Sequence, residues 1–137
     1  MQGMCLMSNK IVLMIDNDRF SLSVLYRLLH EMGYEPMIGS TADAARTLLE
    51  ARDPDVVIYN QDLEAEWGCS FLDILRTTEA TAAIPVILLS QGAGRFGPRV
   101  AETLDATVCF QKPIAIEPFV TIFRDLIERR PPTAMCC

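Results

Sequence analysis

What this chain of 137 residues lacks narrows it first. It has no excess of positive charge: Lys and Arg number 12 against 18 Asp and Glu, a formal net charge of -6. A general nucleic-acid binder needs a cationic surface to neutralise phosphates. An anionic membrane surface likewise attracts basic segments, so neither kind of partner is expected. No apolar run approaches the roughly 20 residues of a membrane-spanning helix. The start, MQGMCLMSNK, is too short and too polar at its end for a secretory leader. The five cysteines, Cys5, Cys69, Cys109, Cys136 and Cys137, are odd in number and form no C-x-x-C, so the expectation is a reduced, cytoplasmic protein. The adjacent Cys136 and Cys137 have the outline of a prenylation signal, but a frayed tail is the reading adopted. The one histidine, His30, falls late in a helical stretch beside Glu31 and reads as a solvated side chain.

What is present suits one domain. Half of the residues are hydrophobic, enough at this length to bury a core without disulfides or metal. We expect a flexible segment over residues 1–8, a folded domain over 9–130 and a tail over 131–137. The charge is uneven: residues 1–66 hold eleven acids and five bases, whereas 67–137 hold seven of each.

Short apolar runs alternate with segments of helical period. Residues 10–16 (KIVLMID), 56–60 (VVIYN) and 84–90 (IPVILLS) read as buried strands. A weaker strand covers 34–39, where Pro36 cannot donate to a ladder and so marks a sheet edge. Residues 107–110 make a short fifth strand. Helices are predicted from Phe20 to a stop at Gly33, over 42–51 with Ser40 or Thr41 as cap, around Phe71–Leu75, from Pro98, and over 119–129. Five strands alternating with five helices predict an α/β, doubly wound parallel sheet with helices on both faces.

In such sheets the working site lies at the carboxyl ends of the strands. Those ends read Asp16-Asn17-Asp18, Asn60-Gln61-Asp62, Ser90-Gln91 and Lys112-Pro113. Acids and amide oxygens are hard ligands suited to Mg²⁺, and a hydroxyl with an ammonium group suits a phosphoryl oxygen. Together they form a kit for phosphoryl chemistry.

In this order and spacing the motifs resemble the receiver domain of bacterial two-component response regulators, over roughly residues 9–129. The matching features are IDND after strand one, PDVVIYN for strand three, Gly68 eight residues after Asn60, PVILLS for strand four and the late Lys-Pro of FQKPI. The resemblance implies the flavodoxin-like strand order 2-1-3-4-5. It also implies that Asn60 stands where the family has its phosphoacceptor aspartate. An amide cannot form the acyl phosphate, so the chain is similar to a degenerate receiver, a pseudo-receiver, with Ser90 and Lys112 retained and no catalytic residue expected. Further departures are Asn17 for the second acid, Gln91 for a small residue, Glu64 for a proline, and Cys109 at the aromatic switch position. The loss of charge at Asn17 and Asn60 weakens a Mg²⁺ site, each charge at 4 Å and an effective dielectric near 20 being worth about 4 kcal/mol. Asp16, Asn60 and the Asp62 carbonyl remain as ligands for weak or absent Mg²⁺. The alternative, that Lys112 bonds Asp16 directly, is the arrangement we expect, with no cofactor. Asp18 reads either as a ligand or as a helix N-cap.

The last helix carries Phe119, Val120, Ile122, Phe123, Leu126 and Ile127 over roughly 160° of wheel, against about 100° for an ordinary surface helix. The excess predicts that Val120 and Ile127, beside Phe123, face a partner. The resemblance implies docking or homodimerisation through the fourth helix, fifth strand and fifth helix. The expectation is therefore a stand-alone, non-enzymatic signalling protein that works by phosphorylation-independent protein contacts. The alternative is a phosphorelay receiver with an unconventional acceptor such as Asp62 or Asp16. A flavodoxin-like cofactor carrier is disfavoured, because a flavin phosphate needs donors rather than anions after strand one.

Overall fold

A computed structural model describes residues 10–63, 71–91 and 108–129. The continuous apolar runs become strands: β1 (Ile11–Ile15), β3 (Val56–Asn60) and β4 (Val86–Ser90) are buried at every position. With β2 (Glu35–Gly39) and β5 (Val108–Gln111) they form one sheet in the order β2-β1-β3-β4-β5, every pair parallel. This is the expected 2-1-3-4-5 arrangement. Pro36 sits on the edge strand, where a missing N–H costs least.

Alternation along each strand sorts the side chains into two cores. Val12, Met14, Val56, Ile58, Ile87 and Leu89 face helices α1 (Arg19–Glu31) and α4 (Ile116–Arg129). Leu13, Ile15, Val57, Tyr59, Val86 and Leu88 face α2 (Ala42–Ala51) and α3 (Phe71–Thr77), the latter followed by a 3-10 turn (Glu79–Thr81). Both faces are covered, as parallel strands require.

Local chemistry sets the ends of the helices. Asp18 caps α1, and the chain leaves that helix through Gly33 at φ 96, a left-handed conformation that glycine adopts without strain. Thr41 caps α2 by accepting from the Ala44 N–H at 3.1 Å. Gly39 lets α2 approach the sheet, since a Cβ there would lie 2.9 Å from the Ala45 Cα. α4 starts three residues before the predicted 119, at Ile116. Pro118 is tolerated in that first turn, where its N–H would have no intrahelical partner. The predicted helix opening at Pro98, the segment 1–8 and the tail 131–137 lie outside the described residues.

One expectation about α4 is corrected. Ile127 and Phe123 are fully buried, and Val120 packs partly against the same core. The row Phe119, Phe123, Ile127 forms the centre of the apolar stripe, so Ile127 lies only about 40° from that centre at 3.6 residues per turn. Phe123 meets Tyr34 edge-on at 5.5 Å and Phe119 meets Phe110 at 5.3 Å, so the helix is covered on both flanks. Phe119, Phe123 and Ile127 are core, with Val120 and Leu126 packed partly against it. Ile116 and Ile122 are the exposed large apolar residues of α4.

Candidate functional site

Strands β1, β3 and β4 and the turn after β5 deliver their last residues to one cleft. Asp16 follows β1 directly and is buried, as are Asn60, Ser90 and Lys112. The Lys112 ammonium reaches Asp16 Oδ2 at 2.8 Å, with both side chains 4% exposed. On the other carboxylate oxygen, Asp16 Oδ1 accepts from Asn60 Nδ2 at 2.9 Å and from the Asp18 N–H at 3.1 Å. Asn60 Oδ1 in turn accepts from the Asp62 N–H at 3.0 Å. These two contacts fix which way the amide points, since a flipped amide would set oxygen against carboxylate and nitrogen against an N–H.

Asp18 serves as cap and as site residue together. Its Oδ1 accepts from the Phe20 N–H, while its Oδ2 takes the Ser21 hydroxyl at 2.7 Å and lies 3.4 Å from the Lys112 ammonium. The Ser21 hydroxyl chiefly, with the Lys112 charge and the Phe20 N–H, holds the Asp18 carboxyl below the usual carboxylate range against the opposing effect of burial. Asp62 bridges to β4: its Oδ1 accepts from the Ser90 hydroxyl at 3.1 Å and its Oδ2 from the Gln91 N–H at 3.0 Å. The Lys112 N–H donates to the Ser90 carbonyl at 2.8 Å, which ties the turn after β5 to the end of β4. The Lys112–Pro113 peptide is cis.

These contacts bear on magnesium. Mg²⁺ needs oxygens free to face it in near-octahedral order. Here the Asp16, Asn60 and Asp62 side-chain oxygens all face protein donors, and Asn60 presents its NH₂ to Asp16. Among the described residues no group of three or more His, Cys, Asp or Glu could hold a metal ion.

The structure thus brings together Asp16, Asp18, Asn60, Asp62, Ser90 and Lys112. Cys109 lies on β5, half-buried, and burial pushes its thiol up. Gly68 and Glu64 lie outside the described residues. Sequence reasoning missed the contact from Asp62 to Ser90 and Gln91. A signal existed: in the order 2-1-3-4-5 the ends of β3 and β4 are neighbours. It also missed Lys10, whose ammonium donates to the Ile127 carbonyl at 2.5 Å and holds the end of α4.

Beside this polar cleft runs an apolar groove of about 460 Å³ between α1 and the start of α4, lined in part by Phe20, Val24, Pro113 and Ile116. Phe20 is 77% exposed there.

Comparison with known proteins gives a consistent picture. The family described as "Response regulator receiver domain" matches residues 12–124. A search of curated protein sequences finds no match. Among solved structures, the chemotaxis response regulator CheY4 of Vibrio cholerae superposes with a TM-score of 0.75 at 18% identity, covering 87% of this chain and 99% of that one. A response regulator receiver protein from Burkholderia phymatum gives 0.74 at 21% identity, covering 90% and 98%. The signal receiver domain of a DNA binding response regulator from Colwellia psychrerythraea gives 0.71 at 24% identity, covering 87% and 98%. At these identities the structural likeness speaks for the fold alone.

Proposed function

We propose a function for this chain from one premise: it belongs to the response regulator receiver domain family. Such domains are signalling modules that engage other proteins. This one works as a pseudo-receiver in two-component signalling, a bacterial cytoplasmic module that binds its partner without being phosphorylated.

The observation that carries this reading is the Asn60 amide donating to Asp16 at 2.9 Å. Family resemblance puts the phosphoacceptor at this position. An amide oxygen is a poor nucleophile beside a carboxylate, and this one already accepts the Asp62 N–H. A carboxylate at residue 60 would leave two anions facing each other across the cleft and would call for a cation between them. The amide removes that demand by turning one side of the contact into a donor. The exposed Phe20, Val24 and Ile116 around the neighbouring groove supply an apolar surface for protein contact.

The test is incubation with acetyl phosphate and Mg²⁺ followed by intact-mass measurement. The expected result is an unchanged mass. A gain of one phosphoryl group that hydroxylamine removes, as it removes an acyl phosphate, would overturn the reading. If that gain disappeared in Asp62→Asn or Asp16→Asn, the phosphorelay alternative with an unconventional acceptor would stand in its place.

A further inference from the structure

β3 and β4 run side by side, Asn60 opposite Leu89, and the Gln61 N–H donates to the Leu89 carbonyl at 2.9 Å. The chain leaving β3 is therefore held against the end of β4, and Asp62 comes level with Ser90 and Gln91. The Ser90 hydroxyl meets one carboxylate oxygen at 3.1 Å and the Gln91 N–H meets the other at 3.0 Å. The donors are successive in sequence and converge on one acceptor group. That geometry suits any oxyanion that can present two oxygens together, whether a carboxylate, a phosphate or a sulfate. The Lys112 ammonium lines the same polar cleft.

We propose that Ser90 and Gln91 form an oxyanion cradle whose resident ligand is the chain's own Asp62 carboxylate. The proposal rests on the reading that residue 60 carries no phosphoryl group, and it names how that site is controlled. An internal anion therefore occupies both donors at the end of β4, and the position is filled without a phosphoryl group. Asp62 is tethered two residues beyond β3, which gives it the standing advantage of an intramolecular ligand over free phosphate. Its charge also repels a second anion from the same place.

Sodium sulfate at constant ionic strength is the probe, with the backbone amide signals of Ser90 and Gln91 as the readout in ¹⁵N-labelled protein. The wild type is expected to show no saturable shift at these amides. Asp62→Ala, with its cradle open, is expected to show a saturable shift centred on both, and Ser90→Ala in the same background is expected to abolish it. A saturable sulfate shift at these amides in the wild type, or none in a folded Asp62→Ala protein, would overturn the proposal.

A second measurement needs no destabilising variant. Gln91 is an exposed residue, so its amide should exchange with solvent rapidly unless Asp62 holds it. The expected result is roughly tenfold or greater protection in the wild type, and a fully unprotected amide would overturn the proposal even if Asp62→Ala did not fold. Sulfate transfers no phosphoryl group, so failure here is separate from a phosphoryl adduct, which would strike the proposed function instead.

Discussion

Asp16 is a buried carboxylate with three donors: the Lys112 ammonium, the Asn60 amide and the Asp18 N–H. A buried ion pair contributes little over an apolar pair of the same shape, but removing one partner leaves a charge without compensation. Lys112→Ala is therefore expected to cost about 3–5 kcal/mol in urea unfolding. A loss comparable to a surface substitution would show that Asp16 is not held as described. Asp18 makes a separate, acid-sensitive contribution. Its carboxyl titrates lower in the folded chain than the ordinary value near 3.9. The stability it adds is complete above the unfolded value and is lost as pH falls through the folded one. Asp18→Ala is expected to cost about 1 kcal/mol at neutral pH through the lost cap. The difference from wild type should shrink in acid, and a difference independent of pH would contradict this assignment.

At the scale of elements, α4 is fastened at both edges of its apolar row. Lys10 closes its last turn, and Tyr34, just before β2, donates its hydroxyl to Glu128 at 2.6 Å. Burial first, then the bond and the charge of Glu128, push the Tyr34 hydroxyl up to about 12. A raised value means that stability is full below the unfolded value near 10 and falls as pH rises towards the folded one. Tyr34→Phe should remove this fall from the pH profile of unfolding, and an unchanged profile would count against the contact. Ile127→Ala should cost about 2–5 kcal/mol as a core truncation, where a partner-facing residue would cost little.

The strands, the α2 cap and the stop at Gly33 were legible in sequence because each depends on residues within a few positions of one another. The lateral packing of α4 was not, because Ile127 is buried in a core shared with β1, β3 and β4, which are remote in sequence. The chemistry at the strand ends was legible as a set of residue types. The direct bond from Lys112 to Asp16 was legible as well, but the contact from Asp62 to Ser90 was not, since it depends on where the chain turns after β3 beside β4.

For the whole molecule, the acidic balance acquires a location. Asp16, Asp18 and Asp62 converge at one end of the sheet, and each is met by protein donors in the described residues. No helix among those residues is long and apolar enough to cross a membrane. Phe20 stands out in solvent, so Phe20→Ser is expected to change stability by no more than about 0.5 kcal/mol while altering the surface a partner meets. The central proposal concerns how the cleft satisfies its three carboxylates, with the Lys112 ammonium, the Asn60 amide and neutral donors meeting Asp16, Asp18 and Asp62. Thermal unfolding of the wild type and of Asn60→Asp across a Mg²⁺ titration, at constant ionic strength, tests it most directly. The account predicts a flat melting temperature for the wild type and a saturable rise for Asn60→Asp, in which a second carboxylate faces Asp16. A saturable Mg²⁺-dependent rise in the wild type would contradict it.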